Sequence, residues 1–363
     1  MTIYLDYQAT TPIVPEVILA MRPWLEDKFA NPHSSHAPGR EAAATVELAR
    51  GAVACLFPAG GRVFFTSGAT EAINWGMRCT GAGGVMVADT EHAAVRDTAL
   101  WLKESGRNVS FVPVMPDGLV DTGLNIPQST GMVAVMQVNN EIGVIQPIAA
   151  LAAAAHKAGA LFMCDAVQGF GRLEIPEGPD MVAVSAHKIH GPKGIGALWV
   201  RDGIEIGPLL FGGGQEGGLR SGTLSPALCA GFGMAAKIAR QNEGKDAEHV
   251  GILWQLAMDM LPQGWIVNGS TEHRYRGNLN LRCDGLDAPR LISEVRGVAF
   301  SAGSACASGS GRPSHVLRAL GLSDAEARSS IRLGFGRYTT PAELCEALGL
   351  VFAAAASQQV VPT

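Results

Sequence analysis

The sequence has 363 residues, of which 47% are hydrophobic and 17% charged, a composition typical of globular proteins and unlike that of disordered or fibrous ones. The length predicts about two domains. The net charge of −5 is modest and no run rich in Lys or Arg occurs, so we expect neither nucleic acid nor an anionic membrane as a partner.

The cysteines form neither a disulfide framework nor a zinc site, because they are odd in number, scattered and without any CxxC pair. They are Cys55, Cys79, Cys164, Cys229, Cys283, Cys306 and Cys345. The first residues, MTIYLDYQATTP, contain neither the basic nor the apolar region of a secretion signal. The apolar runs fall short of the ~18 residues that a membrane span needs. We therefore expect a cytoplasmic protein without a bound metal.

Strand-like and helical runs alternate through the first two thirds of the chain. The strand-like runs are RVFFT (62–66), GVMVAD (84–89), VSFVPV (109–114), MVAVMQV (132–138), LFMCD (161–165), DMVAVSA (180–186) and GIGALWV (194–200). The helical runs are SGATEAINWGMRC (67–79), HAAVRDTALWLKESG (92–106) and IAALAAAAHKAGA (148–160). This alternation predicts an α/β fold with a parallel or mixed sheet covered by helices on both faces. After about residue 240 the strands are shorter and interleave with helices such as PRLISEVRG (289–297).

Two residues follow apolar strands at the positions where α/β sheets bind ligands, the carboxyl ends of the strands. Lys188 stands in SAHKIHGPKG (185–194), where partial burial would lower its pKa and suit it to form a Schiff base. The alternative is an ordinary surface lysine. Asp165 ends LFMCD, and such a carboxylate can pair with the protonated ring nitrogen of pyridoxal phosphate. Its alternative is a helix cap.

The stretch FTSGATEAIN (65–74) predicts an anion site, because a helix begins there with free N–H groups beside the Thr70 hydroxyl. Ser185 and His187 could add donors to the same phosphate. A plain helix cap is the alternative interpretation. The stretch is neither a Walker A loop nor GxGxxG, which argues against a nicotinamide dehydrogenase.

Weaker signals lie further along the chain. His92 and Asn140 follow predicted strands, where an imidazole could stack on a ring and an amide could bond a ring hydroxyl. Arg332 could hold a substrate carboxylate, or form a structural salt bridge. Cys306 lies in SAGSACASGSG (301–311), with no large neighbour nearer than Phe300, so we expect an exposed thiol in a mobile loop.

Taken in order, these motifs closely resemble those of the cysteine desulfurases, in the class V aminotransferase-like group of pyridoxal phosphate enzymes. The matching stretches are IYLDYQATTP, NPHSSH, FTSGATE, TEHAAV, VNNEIGVIQP, DAVQ, SAHKIHGPKGIGAL, GGGQEGGLRSGT, GSACASG and PSHVLRALGL…SSIRLGFGRYTT. The resemblance implies fold type I, with a large cofactor-binding domain at 14–243. A smaller α+β domain would comprise 1–13 plus 244–363 and carry the Cys306 loop. The resemblance also implies a cytoplasmic homodimer.

The resemblance assigns roles by position. Lys188 would hold the cofactor as a Schiff base, Arg332 would hold the substrate carboxylate, and Cys306 would take the sulfur. The remaining cofactor-binding residues would be Ala69, Thr70, His92, Asn140, Asp165, Gln168, Ser185, His187 and, from the partner subunit, Thr223. His92 would also act as an acid or base, and Asn140 would also contact the substrate. The implied reaction turns L-cysteine into L-alanine and passes sulfur, as a persulfide, to an acceptor protein.

The long form of the Cys loop resembles the branch that serves iron–sulfur scaffold proteins. Some features depart from the family: Ala186 replaces a usual Gly, FGGGQE lacks flanking His residues, and the C-terminus is short. These departures leave the sulfur acceptor open. The alternatives are a selenocysteine lyase, another carbon–sulfur lyase or an aminotransferase of the same fold, and a non-catalytic protein that docks sulfur-transfer partners.

Overall fold

The computed structural model describes residues 2–81, 83–303 and 313–359, and the statements below refer to these ranges. The helices are α1 Pro15–Glu26, α2 Ala37–Ala54, α3 Ala69–Arg78, α4 Ala93–Glu104, α5 Ile148–Lys157, α6 Pro226–Asp259, α7 Ala288–Glu294, α8 His315–Ala319, α9 Asp324–Arg328 and α10 Pro341–Gln359. The strands are β1 Ile3–Tyr4, β2 Gly61–Thr66, β3 Gly84–Ala88, β4 Val109–Val112, β5 Thr130–Ala134, β6 Leu161–Asp165, β7 Met181–Ser185, β8 Gly196–Arg201, β9 Trp265–Val267, β10 Asn278–Cys283, β11 Val298–Ala299, β12 Ser301–Ala302 and β13 Ser330–Gly334.

The largest sheet has the strand order β2-β8-β7-β6-β5-β3-β4. Strand β8 runs antiparallel to both of its neighbours, and the other neighbouring pairs are parallel. The loop between β7 and β8, residues 186–195, is shorter than the dozen or so residues that a parallel crossover needs, so the chain reverses there. The predicted mixed, mostly parallel sheet is therefore confirmed.

Two strands end earlier than their apolar sequences predict. Strand β4 stops at Val112 because Pro113 has no N–H to donate to a neighbouring strand. Strand β5 stops at Ala134, although the N–H of Val135 still donates to the carbonyl of Met163. Beyond it the chain turns back, and Val138 pairs with Ile145 in an isolated antiparallel bridge.

Helices cover both faces of this sheet, as the sequence predicts. Strand β7 is buried along its whole length, and alternate residues face opposite cores. Val182 and Val184 pack in the core that contains residues of α2, α5 and α6. Met181 and Ala183 pack in the core formed with α3 and α4. A strand buried on both faces has no polar alternation, which explains its continuous run of apolar letters.

A separate core joins the N-terminal arm to the C-terminal part of the chain. Ile3 and Leu5 pack there with residues between Val250 and Ala355. An antiparallel sheet of order β12-β13-β10-β9 supports this core, while β1 pairs in parallel with β11. Helix α6 contributes to both cores and passes without a break through the predicted boundary at 243/244. The division into domains 14–243 and 1–13 plus 244–363 stays a prediction. None of the helices in the described ranges is long and apolar enough to cross a bilayer.

Candidate active site

A cavity of about 520 Å³ opens at the carboxyl ends of the parallel strands. The cavity brings together most of the residues that the sequence nominates. These are Ala69, Thr70, His92, Asn140, Asp165, Gln168, Ser185, His187, Lys188 and Arg332. Thr223 lies outside this cavity, exposed on the loop that precedes α6. Cys306 belongs to residues 304–312, which lie outside the described ranges.

Lys188 ends a short 3-10 turn that follows directly on β7. Its Nζ donates hydrogen bonds to the backbone carbonyls of Gln8, at 2.6 Å, and Ala9, at 2.7 Å. Burial lowers the pKa of Lys188 to about 8, and the nearby positive charges of Arg172 and Arg332 lower it further. An amine with this pKa has a substantial unprotonated fraction near neutral pH, which nucleophilic attack on a carbonyl requires.

This pKa makes the reactivity of Lys188 depend on pH in a testable way. In cofactor-free protein, modification of Lys188 by an amine-specific reagent should reach half its maximal rate near pH 8, because the amine loses its proton there. A short unstructured peptide with one lysine, added to the same sample, serves as the control and should need a pH near the ordinary value of about 10.4. Peptide mass spectrometry measures both rates in one sample. Equal midpoints for the two lysines would contradict the assignment.

The N-terminal arm holds the lysine loop from the other side. The Thr11 hydroxyl donates to the carbonyl of His187 at 2.9 Å and accepts from the N–H of His190 at 2.8 Å. His190 has a φ of 67°, in the left-handed region that a non-glycine residue adopts only when its surroundings fix it. The arm therefore fixes the backbone on both sides of Lys188.

Asp165 and His92 both line the cavity. Asp165 is the last residue of β6, and His92 immediately precedes α4. Asp165 Oδ1 accepts from the N–H of Val167 at 2.9 Å, and burial raises the pKa of this carboxyl. His92 caps α4, with Nδ1 accepting from the N–H of Ala94 at 3.1 Å. Since Nδ1 is an acceptor, the proton of the neutral imidazole is on Nε2.

The beginning of α3 forms one wall of the cavity. Gly68 precedes this helix and has no side chain to cap it, so the N–H groups of its first residues, Ala69 and Thr70, are available to an anion. Burial lowers the pKa of His187 to about 4, so His187 is a neutral donor or acceptor at pH 7. Its Nδ1 lies 3.1 Å from the hydroxyl of Thr10. Ser185 lies beside it at the end of β7 and is buried.

Arg332, on β13, is only 1% exposed. Its Nη2 donates to Asp6 Oδ1 at 2.7 Å, and its Nη1 donates to the carbonyl of Asn140 at 2.9 Å. The salt bridge that was the alternative interpretation of Arg332 therefore exists. Nη2 also donates to Ser301 Oγ, at a long 3.5 Å, but Nη1 carries a second hydrogen, and Nε is buried without a hydrogen-bond partner in the described residues. Pairing with Asp6 therefore leaves donors for a substrate carboxylate.

Sequence reasoning missed several groups around the cavity. Lys193, in the loop after Lys188, lines the same cavity as the start of α3 and adds a positive charge there. Its position in the quoted motif SAHKIHGPKG could have drawn attention to it. Glu91 is fully buried beside His92, and burial and the charge of Asp165 raise its pKa well above the usual range. The backbone carbonyls of Gln8 and Ala9, which accept from Lys188, could not be identified from the sequence, because a backbone carbonyl has no side-chain signature.

Comparison with known proteins agrees with this geometry. The family model described as aminotransferase class-V matches residues 3–346. The chain is 42% identical over 368 residues to a protein named cysteine desulfurase IscS from Rickettsia bellii (strain OSU 85-389), covering 96% of this chain and 90% of that protein.

Two solved structures extend the comparison. One, described as a NifS-like protein, superposes with a TM-score of 0.90 at 31% identity, covering 98% of this chain and all of that one (100%). The other, described as SspA in complex with cysteine, gives a TM-score of 0.82 at 32% identity, covering 93% of this chain and 100% of that one. The chain therefore belongs to the class-V aminotransferase family and, within it, to the cysteine desulfurases.

Proposed function

We propose that this cysteine desulfurase converts L-cysteine into L-alanine and that the sulfur leaves as a persulfide on Cys306. The observation that carries the proposal is the convergence of Lys188, Asp165 and Arg332 on one cavity at the carboxyl ends of the strands. A nucleophilic amine, a buried carboxylate and a cationic fork are together what an amino-acid substrate and an electron-accepting cofactor require.

The residues fit pyridoxal 5′-phosphate as the cofactor. The uncapped start of α3, with Thr70, Ser185 and His187, offers hydrogen-bond donors to a phosphate. Asp165 would pair with the ring nitrogen, and the positive charge of that nitrogen would offset the cost of burying the carboxylate. Gln168 keeps a second amide hydrogen for the ring hydroxyl, because it uses one on the carbonyl of Gln8 at 2.9 Å.

Each protein group has a task that follows from its position. When bound, pyridoxal phosphate withdraws electrons from the substrate α-carbon. Arg332 holds the substrate carboxylate and thereby orients the α-carbon. Lys188 takes the α-proton, because its lowered pKa lets the amine act as a base near neutral pH. His92 presents Nε2–H as an acid, and Asn140, whose carbonyl accepts from Arg332, also contacts the substrate.

The sulfur transfer balances without an external oxidant. The Cys306 thiolate forms an S–S bond with the substrate sulfur as the C–S bond of L-cysteine breaks. The electron pair of that bond stays on the carbon side, which takes up a proton and becomes the methyl group of L-alanine. The Cys306 thiol plus L-cysteine thus become the Cys306 persulfide plus L-alanine.

Replacement of Arg332 tests the carboxylate site. We expect Arg332→Lys to raise the KM for L-cysteine by roughly 10-fold to 100-fold, because a charge-assisted hydrogen bond contributes about 1.5–3 kcal/mol. Steady-state kinetics with the cofactor spectrum as a control for folding measures the effect. An unchanged KM would leave Arg332 with only its structural pairing to Asp6.

The products distinguish desulfuration from the other activities of this fold. With L-cysteine and a reducing thiol, we expect L-alanine and sulfide in equal amounts. A lyase acting by elimination would give pyruvate and ammonia, and an aminotransferase would give a keto acid that retains sulfur. A parallel assay with L-selenocysteine tests the selenocysteine lyase, which would prefer that substrate. A docking protein without catalytic function would give no product.

We further propose a homodimer in which Thr223 of the partner subunit completes the phosphate site. Two observations support it: Thr223 is exposed and does not line the cavity of its own chain, and Phe29 and Phe211 are 95% and 85% exposed. Exposed aromatic side chains of this kind commonly become buried in protein interfaces. Light scattering measures the mass in solution, and a monomer would contradict the proposal.

Iron–sulfur cluster assembly in the cytoplasm is the proposed destination of the sulfur. The long Cys loop, GSAC…PSHVLRALG, supports the destination, since it resembles the branch that delivers sulfur to scaffold proteins. Free cysteines support a reducing compartment; those in the described ranges include Cys55, Cys79, Cys164, Cys229 and Cys345. Transfer of radioactive sulfur from L-cysteine to a purified scaffold protein tests the acceptor, with a thiolated-tRNA carrier protein as the alternative recipient.

A further inference from the structure

A second cavity, of about 240 Å³, lies behind the lysine loop and apart from the candidate active site. Lys188 lines both cavities. The second cavity is enclosed by helix α6, the turn at 171–173, the segment 274–276 and residues 336–337 of the C-terminal part. Among the described residues assigned to the reaction, none except Lys188 lines it, so its side chains need another explanation.

Positive charge dominates this second cavity. Its walls include Arg172, Arg274, Arg276 and Arg337 but, within the described ranges, a single carboxylate, Asp246. That carboxylate is already paired, since both of its oxygens accept from Arg337, with Nη2 to Oδ2 at 2.6 Å. The other guanidinium groups have no carboxylate partner in the residues that the structure describes.

Arg274 is the most constrained of these arginines, since it is only 4% exposed. Its Nε donates to the carbonyl of Asn278 at 2.9 Å, and its Nη1 donates to the carbonyls of Asn268 and Ser270 at 2.8 and 3.2 Å. Its Nη2 is buried and has no hydrogen-bond partner among the described residues. The ring of Trp254 lies 5.3 Å from the guanidinium carbon, but an aromatic face does not neutralise the charge. Burial lowers the pKa of Arg274 to about 9, so the group remains charged at neutral pH. Arg274 lines the cavity without a carboxylate partner in the described ranges, and an anion beside its guanidinium would offset part of the cost of burying that charge.

The volume of the second cavity and the apolar residues that line it restrict which anion can bind. At ≈ 30 Å³ for each water, the cavity holds about eight water molecules, or a ligand of similar size. Leu173, Ile189 and Val250 provide apolar surface in the same space. We propose that this cavity binds a small monocarboxylate, with its charged end at Arg274 and Arg276 and its apolar end against α6 and the 171–173 turn.

The site also touches the catalytic residues through Arg172. Its Nη2 donates to the carbonyl of Lys188 at 2.6 Å, and its Nη1 donates to Gln168 Oε1 at 3.1 Å. A ligand packed against the 171–173 turn would therefore act, through Arg172, on the backbone that carries Lys188. This connection rests on the proposed function, whereas binding itself does not.

Calorimetric titration of the holoenzyme tests the binding. The probe is 4-methylpentanoate, and its neutral isostere 4-methylpentanamide is the control ligand. Saturating L-alanine in the buffer occupies the carboxylate site at Arg332. We expect the acid to bind and the amide to fail, because only the acid supplies the charge that Arg274 lacks.

Two variants assign the binding to this cavity without disturbing the fold. Arg276→Ala removes an exposed cation from the wall, and Ala247→Leu fills space from an exposed position on α6. Each should weaken binding of the acid by at least about tenfold. Arg296→Ala and Gln241→Leu, at exposed positions outside the cavity, are the matched controls and should bind normally.

Three results would overturn the proposal: no binding of the acid, equal binding of acid and amide, or binding that both cavity variants leave unchanged. These outcomes are separable from failure of the proposed function, which the alanine and sulfide assay reports independently. Direct replacement of Arg274 is a poor test, because its hydrogen bonds to three backbone carbonyls hold the segment in place.

Discussion

Replacement of Lys188 by Ala should abolish desulfuration, with turnover of L-cysteine falling by at least about 10³-fold. The side chain supplies both the amine that holds the cofactor and the base that moves the α-proton, and loss of general acid–base catalysis alone costs ~10²–10⁴. Its amine is positioned by the carbonyls of Gln8 and Ala9, and no other lysine among the described residues occupies this position. Alanine release under saturating L-cysteine measures the effect.

Lys188→Arg is the informative companion to that variant. Arginine keeps a cation in the cavity and can still donate to the two carbonyls, but it cannot lose its proton at any accessible pH. We therefore expect Lys188→Arg to be as inactive as Lys188→Ala, while Lys103→Ala, at an exposed site, remains fully active. Appreciable turnover by the arginine variant would show that the deprotonated amine is not required.

Replacement of Cys306 by Ala should have an effect of similar size on a different step. Without the thiolate nothing attacks the substrate sulfur, so release of alanine and sulfide should fall by at least about 10³-fold. Cofactor binding should be unchanged, since Cys306 is not among the residues proposed to hold pyridoxal phosphate. The visible absorbance of the bound cofactor checks this second expectation.

Cys55→Ala is the control for that experiment, because Cys55 is an exposed free thiol far along the chain from the Cys306 loop. It should leave turnover unchanged. Equal activity in the Cys306 and Cys55 variants would make the loop cysteine a bystander. The lyase interpretation would then account for the cavity better than the desulfurase one.

The sheet and most of the cavity could be predicted from the sequence for a simple physical reason. Strands buried on both faces are continuous apolar runs, and the chemically active residues follow them directly. Asp165 ends β6 and Lys188 follows β7, so local sequence places both at one edge of the sheet. The short loop after Lys188 also explains why β8 runs antiparallel to its neighbours, a direction that the local sequence alone did not determine.

Contacts between residues that lie far apart in the sequence could not be predicted in this way. Arg332 and Asp6 lie 326 residues apart in sequence, and the carbonyls on Lys188 come from the arm 180 and 179 residues earlier. Backbone carbonyls carry no side-chain signal, and hydrophobic periodicity does not encode which distant segments meet. Arg332 can both form a structural salt bridge and hold a substrate carboxylate, because one guanidinium has enough hydrogens for both partners. The two interpretations of this residue therefore do not exclude each other.

The measurement that tests the account most directly is the mass of the Cys306 peptide after one turnover. The holoenzyme is mixed with L-cysteine in the absence of a reducing thiol, alkylated and digested. The account predicts that the peptide containing Cys306 gains one sulfur atom, in step with the alanine released, and that the Cys55 and Cys345 peptides do not. Alanine released with no added sulfur on Cys306, or with the sulfur on another cysteine, would contradict it.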